Sequence, residues 1–160
     1  MDPARIAPFT AADSDWLIAR HAELYARDEG FDASFGQLVG QIVTDFLADH
    51  DPAREAGWIA WSGARRLGSI FVVEEAPQVA KLRLVLLEPE ARGSGLGQRM
   101  LDTAMSFARA AGFTVMRLWT HESHVAACRM YARNGFALTR SEAKRSFGQD
   151  VVEQSWERPL

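Results

Sequence analysis

One stretch of this chain, residues 82–101, constrains its fold more than any other. It reads LRLVLLEPEARGSGLGQRML. The pattern predicts a strand over 79–87 that ends before Pro89, where the chain loses a backbone donor, and then a glycine-rich turn. An amphipathic helix is predicted over 96–111. A strand that passes through a glycine turn directly into a helix is typical of α/β proteins.

The glycines of this turn indicate an anion-binding site. Gly93, Gly95 and Gly97 can take positive φ values and allow a ligand to approach the backbone closely. The helix that follows presents unpaired N–H groups and the positive end of its dipole. With the planar cation of Arg92 at its edge, the turn is suited to a phosphate or pyrophosphate.

The spacing of the glycines narrows the choice of ligand. Gln98 stands where a dinucleotide-binding turn would have its third glycine, and no Gly-Lys pair of a phosphate-binding loop follows. The remaining pattern is Arg-x-x-Gly-x-Gly, over residues 92–97. The alternative from these six residues alone is an ordinary glycine-rich turn between strand and helix.

The rest of the chain adds short strands and amphipathic helices. Capping patterns predict helices that begin at Thr10 and Ser34, the second with Gln37 as the reciprocal partner. The other predicted elements are strands over 5–9, 57–62, 67–74, 114–119, 136–146 and 151–158, and a helix over 125–133. The order β-α-α-β-β-β-α-β-α-β-β predicts the α/β (α+β) class, with a mixed, largely antiparallel central sheet and helices on both faces. We expect residues 1–160 to form one domain.

Composition and charge exclude several classes of protein. The 160 residues have a formal net charge of −3 and no basic stripe, so nucleic acid and anionic membranes are not expected partners. Cys128 is the only cysteine, which excludes an internal disulfide and a multi-cysteine zinc site. No signal peptide or membrane span is evident, and a cytoplasmic location is expected.

A second segment completes a family resemblance. Residues 118–136 read LWTHESHVAACRMYARNGF. Together with the glycine turn and the element order, this segment resembles the GNAT superfamily of N-acetyltransferases across nearly the whole chain. The matching residues are Ala127, Tyr131, Gly135 and Phe136, whereas His124 stands at a position where the family usually has asparagine. The chain also resembles the acetyltransferase half of fusions with MarR-type regulators.

The resemblance implies that acetyl-coenzyme A donates an acetyl group to an amine, and that the amine attacks the thioester directly. No metal is implied. Tyr131 occupies the family's general-acid position, and the backbone N–H of Leu87 matches the donor to the thioester oxygen. By resemblance, the residues that hold the cofactor are Leu86, Leu87, Arg92, Gly93, Ser94, Gly95, Leu96, Gly97, Gln98, His124 and Ala127. The only candidate thiol nucleophile, Cys128, is more simply explained as a small buried side chain.

The expected acceptor is a small-molecule or peptide amine, and its site is less well defined by the sequence. Strand alternation places Lys81 and Arg83 on one face with Val85 and Leu87, where either cation could recognise a carboxylate. Alternatively, both cations pair with Glu74 and Glu75 across the hairpin, or they are solvated. Glu74 is also the candidate base. The first helix and the loop after it offer His21, Tyr25, Glu29 and Phe31, of which Tyr25 and Phe31 are expected to bind the substrate.

Other functions and partners remain open. An acetyl-CoA-binding sensor without catalysis is the main alternative, because His124 replaces the usual asparagine. A nucleotide-dependent oxidoreductase is disfavoured by the missing third glycine. His121 and His124 have a spacing compatible with a metal but lack a convincing third ligand. A homodimer through the last strands is possible, with Trp156 either at that contact or in the core.

Overall fold

The computed structural model of the protein describes residues 3–160. The chain divides into two compact units. Within the described part, the first unit comprises residues 3–13, 50–116 and 159–160, and the second comprises residues 14–49 and 117–158.

The first unit is built on antiparallel strands. Its elements are β1 (Arg5–Pro8), a 3-10 turn (Ala11–Asp13), β2 (Ala56–Ser62), β3 (Arg65–Ala76), β4 (Val79–Leu87), a second 3-10 turn (Pro89–Ala91), α3 (Leu96–Ala110) and the start of β5 (Val115–His121). Strands β1 to β4 pair in chain order, each antiparallel to the next. Helix α3 packs on β3 and β4 and buries Met100, Leu101, Ala104 and Ala108.

The second unit combines a helical pair with the C-terminal strands. Its elements are α1 (Ser14–Glu29), α2 (Ala33–Asp49), most of β5, α4 (Val125–Arg133), β6 (Ala137–Ser146) and β7 (Gln149–Pro159), of which Pro159 belongs to the first unit. The strand order is β5-β7-β6, and β6 is antiparallel to β7. Helices α1 and α2 pack together, with Leu17, Leu24, Val39 and Val43 buried.

The predicted element order and fold class are confirmed: four α-helices and seven strands, mostly antiparallel, occur within residues 3–160. The capping prediction is only partly right for the first helix: the N–H of Thr10 donates to Asp13 at 2.8 Å, but a 3-10 turn follows Thr10 and α1 begins at Ser14. It is wrong for the second. Helix α2 already begins at Ala33, and the carboxylate of Asp32 accepts the N–H of Ser34 at 3.0 Å, so Asp32 takes the capping role.

The predicted alternation along β4 is also corrected. Leu84 has a φ of 52°, and the pairing with β3 slips by one residue between Arg83 and Leu86. Such a β-bulge reverses the faces of the residues beyond it. Leu86 therefore shares the face of Arg83, whereas Leu87 lies on the opposite face, with Leu82. The hydroxyl of the fully buried Ser69 donates to the carbonyl of Leu84 at 2.7 Å and stabilises the bulge.

Candidate active site

The glycine turn connects β4 to the N-terminus of α3. Gly93 and Gly95 have φ values of 75° and 86°, and Gly95 is the N-cap of the helix. A Cβ added to either glycine would meet no atom within 4 Å. Both positions therefore border open space, as expected where a ligand lies against the backbone.

Polar contacts shape the turn from inside. The hydroxyl of Ser94 donates to the carbonyl of Ala91, and the same oxygen accepts the N–H of Leu96 at 3.4 Å. The Nε of Arg92 lies 3.4 Å from the carbonyl of Leu87 at the end of β4. Arg92 thus joins the turn to the end of β4, while Ser94 bridges residues on either side of it within the turn. The side chain of Gln98 donates to Asp102 within α3 at 2.9 Å.

Tyr131 is buried in α4. Its side chain packs edge-to-face on Phe136, with ring centroids 5.6 Å apart, and the residue is 4% exposed. Burial raises the pKa of Tyr131 above that of a free phenol, and the neighbouring Tyr25 and Cys128 act in the same direction. The phenol is therefore protonated at neutral pH.

His124 is the centre of a polar network at the N-terminus of α4. Its Nε2 lies 3.1 Å from Glu29, and its Nδ1 lies 3.2 Å from the hydroxyl of Thr120. The hydroxyl of Ser123 donates to the other carboxylate oxygen of Glu29 at 2.7 Å. Both ring nitrogens of His124 thus have protein partners. Thr120 and Ser123 were not among the predicted site residues, and no local pattern joins them to Glu29.

An aromatic cluster surrounds this network and brings several predicted residues together. The ring centroid of Tyr25 lies 5.7 Å from Phe31 and 5.2 Å from His124. Phe35 and Phe147 extend the cluster, each packing on Phe31. Tyr25, Phe31, His124 and Tyr131 therefore belong to one neighbourhood of the second unit, while Ala127 lies between the last two on α4.

Two histidines near Tyr25 retain unpaired nitrogens. Among residues 3–160, His121 Nδ1 and His21 Nε2 are buried without a hydrogen-bond partner. Burial lowers the pKa of His121, and the charges of Glu153 and Glu29 oppose part of this decrease. In the same described residues, no three His, Cys, Asp or Glu side chains are grouped as metal ligands would be.

Cys128 is held as a thiol. Its sulfur lies 3.8 Å from the carbonyl oxygen of His121 and 3.6 Å from Oε1 of Gln154. Burial raises the pKa of the thiol. A protonated sulfur is a poor nucleophile, which agrees with direct attack by the amine.

Glu74, the candidate base, lies in a polar cluster of the first unit. Its carboxylate accepts from Arg54 at 3.1 Å, and its backbone N–H donates to Glu55 at 2.9 Å. Arg54 also donates to the carbonyl of Ala111 at 2.7 Å and lies over the ring of Phe113. This arginine joins the hairpin to the end of α3, so the ion pair gives Glu74 a structural partner.

Lys81 and Arg83 lie on the same face of β4, opposite Val73 and Phe71 of β3. Both are partly buried, and burial lowers the pKa of Arg83 despite the attraction of Glu55 and Glu75. Leu86 is 5% exposed on this face.

Comparisons with known proteins agree with this architecture. The model of the acetyltransferase (GNAT) family matches residues 12–136. Mycothiol acetyltransferase of Geodermatophilus obscurus is 30% identical over 114 residues, which are 68% of this chain and 33% of that protein. Streptothricin acetyltransferase of Escherichia coli is 23% identical over 137 residues, or 85% of this chain and 78% of that protein. The chain thus spans only a third of the first relative's length.

Solved structures show the same fold at low identity. Ribosomal-protein-alanine N-acetyltransferase of Brucella melitensis has a TM-score of 0.79 at 17% identity, with 98% of this chain and 99% of that chain covered. A GCN5-related N-acetyltransferase of Kribbella flavida has a TM-score of 0.78 at 18% identity, with 98% of both chains covered. The family match covers most of the chain, from the first 3-10 turn to the residue before β6, and the chain belongs to the acetyltransferase (GNAT) family.

Proposed function

We propose that this protein is an N-acetyltransferase that moves an acetyl group from acetyl-CoA to a primary amine in a ternary complex. The observation that carries the proposal is the turn at Gly93 and Gly95, where open space borders the backbone at the start of α3. The cofactor's pyrophosphate fits this cradle, because first-turn N–H groups and Arg92 supply donors and positive charge.

Tyr131 serves as the general acid in this proposal. The sulfur of coenzyme A takes up a proton when it leaves, and a free thiol titrates near ~8.5. Tyr131 stands at the family's general-acid position and is protonated at neutral pH, so it is the side chain proposed to supply that proton. The incoming amine attacks directly, and Cys128 remains a thiol throughout.

The site residues fall into two proposed groups. The proposed cofactor-binding residues are residues 92–98, Leu86, Leu87, His124 and Ala127. The ring nitrogens of His124 also contact Glu29 and Thr120. Tyr25 and Phe31 belong to the acceptor side. For the base, Glu74 remains a proposal that its pairing with Arg54 weakens.

A sensor that binds acetyl-CoA without catalysis is the second candidate. The observation in its favour is that His124 replaces the asparagine usual at this position. Both ring nitrogens of His124 contact protein groups. Retention of Tyr131 at the family's general-acid position favours the enzyme.

Wider properties of the protein are proposed with the activity. We infer a single cytoplasmic domain whose acceptor is a small molecule or peptide, with a homodimer as a possible assembly and no role for nucleic acid. Among residues 3–160, no helix is long and apolar enough to cross a membrane. The likeness to MarR-type fusions stays a prediction.

Calorimetric titration with acetyl-CoA tests the cofactor, with NADH and ATP as controls. Binding of acetyl-CoA alone is expected, weakened by Arg92→Ala but not by Arg109→Ala in the last turn of α3. Release of free thiol with a panel of amines then tests catalysis. Binding without any turnover would favour the sensor, and no binding would contradict both candidates.

A further inference from the structure

Arg83 is a cation without a close partner on the central strand β4. Among residues 3–160, its guanidinium makes no hydrogen bond and no ion pair within 4.0 Å. The side chain is nevertheless partly buried, opposite Phe71, which is 1% exposed. A partly desolvated arginine is costly unless an anion pairs with it.

Glu55 and Glu74, two of the carboxylates near Arg83, are engaged by other groups. Glu55 and Glu75 both attract Arg83 without a contact within 4.0 Å. The two oxygens of Glu55 accept the N–H groups of Asp51 at 3.2 Å and Glu74 at 2.9 Å. Glu74 itself pairs with Arg54. The pairing with Glu74 that the sequence left open for Arg83 is therefore absent from the described residues.

The position of Arg83 in β4 is also distinctive. It is the last regularly paired residue before the bulge at Leu84, where ladder pairing with β3 is interrupted. The bulge turns Leu86 to the face of Arg83. This face of β4 therefore carries a cation, Arg83, and an apolar side chain, Leu86, next to the point where pairing with β3 is interrupted. Such a combination suits a small ligand with one anionic group.

We propose that Arg83 binds a carboxylate of the acceptor, so that the substrate class is amino acids or other amines that also carry a carboxylate. This inference rests on the proposed acetyltransferase activity and specifies its acceptor. A guanidinium can hold both oxygens of a carboxylate at once, which fixes the orientation of the ligand as well as its charge. In this proposal Arg83, rather than Lys81, binds the carboxylate.

Matched acid and amide ligands test the proposal. The common amino acids and their α-carboxamides are titrated into the protein saturated with coenzyme A, and acetyl transfer from acetyl-CoA to each is measured separately. At least one acid should bind and react better than its amide by about tenfold or more, the range of a charge-assisted hydrogen bond. Arg83→Leu should abolish this preference and Arg83→Lys should retain part of it, with the affinity for acetyl-CoA unchanged in both.

Controls separate this inference from the proposed function. Arg109→Leu on α3 removes a distant surface arginine and should keep the preference for the acid. The inference is overturned if acids and amides behave alike, or if Lys81→Met abolishes the preference while Arg83→Leu keeps it. Transfer to amines without any acid preference leaves the proposed function intact. A binding preference for acids that depends on Arg83, without transfer to any amine, supports the site and contradicts the catalytic role.

Discussion

At the scale of single residues, burial determines the chemistry that Tyr131 can perform. Replacement by phenylalanine keeps the ring that packs on Phe136 and removes only the proton donor. We expect Tyr131→Phe to lower kcat by about a hundredfold or more, which is within the range of general acid catalysis. The affinity for acetyl-CoA and the melting temperature should change little. Thiol release, calorimetry and thermal unfolding measure the three quantities, and an unchanged kcat would remove Tyr131 from the mechanism.

The side chain of His124 has polar partners on both of its ring nitrogens, Glu29 and Thr120. Asparagine in its place would restore the residue usual in the family but would not reach Glu29 as the longer histidine does at 3.1 Å. We expect His124→Asn to lower the free energy of unfolding by about 1–3 kcal/mol, the value of a hydrogen bond to a charged group. A double-mutant cycle with Glu29→Gln in urea unfolding should show coupling, whereas strictly additive effects would argue against the pair.

Site residues were predictable from the sequence only where a local motif contains them. The glycine turn and Tyr131 lie in continuous segments whose spacing is informative on its own. Glu29 and Ser123 are separated by 94 positions, so no window of sequence can join them. The placement of Glu74 against Arg54 depends on the fold of the hairpin in the same way, which is why a catalytic role could be suggested for a residue that forms a structural ion pair.

At the scale of elements, the strand-turn-helix segment can be tested through two glycines that have similar backbones. Gly95 has a φ of 86° and Gly63, in the β2–β3 turn, has a φ of 58°, and both border open space. Alanine at either position should cost about 1–2 kcal/mol of stability, because L-residues disfavour this conformation. Only Gly95→Ala should also weaken acetyl-CoA binding, by roughly tenfold. Equal effects of both variants on calorimetric binding would contradict the cradle.

The bulge in β4 marks the limit of prediction for elements. Strand β4 was predicted with its observed bounds, Val79–Leu87, because apolar residues and Pro89 define them locally. Leucine has no preference for the positive φ that Leu84 adopts, and the hydroxyl that supports this conformation comes from Ser69 on the neighbouring strand. The alternation was therefore wrong for Leu87, whose face depends on a contact between strands.

At the scale of the whole molecule, fold and substrate have different determinants. The element order followed from hydrophobic periodicity and turn residues, and solved structures with 17% and 18% identity share the fold. Many sequences satisfy those periodic constraints, so the fold survives when most residues differ. The acceptor specificity proposed above depends instead on an individual side chain, Arg83, and one fold supports many substrates.

The stability of the whole molecule should depend on one buried histidine. His21 is 2% exposed, and its Nδ1 lies 2.8 Å from the carbonyl of Leu17. Because a carbonyl only accepts, Nδ1 carries the proton. The buried Nε2 has no hydrogen-bond partner, and a second proton there would place a charge in the core. Burial lowers the pKa of His21 from 6.5 to about 4. The folded state then binds fewer protons than the unfolded state between these values. Stability is therefore complete above about pH 6.5 and is lost as the pH falls through about 4.

This linkage corresponds to about 3 kcal/mol, a large part of the ~5–15 kcal/mol typical of a domain. Urea unfolding from pH 7.5 to 4 measures it as a fall in the free energy of unfolding. His21→Gln should reduce that fall by about the same amount, although it also lowers stability at neutral pH. Val43→Ala, a cavity variant at a residue 1% exposed in α2, should lower stability equally at every pH. If His21→Gln kept the full acid dependence of the wild type, the loss would have to arise from other groups, and His21 would not be held neutral by the fold.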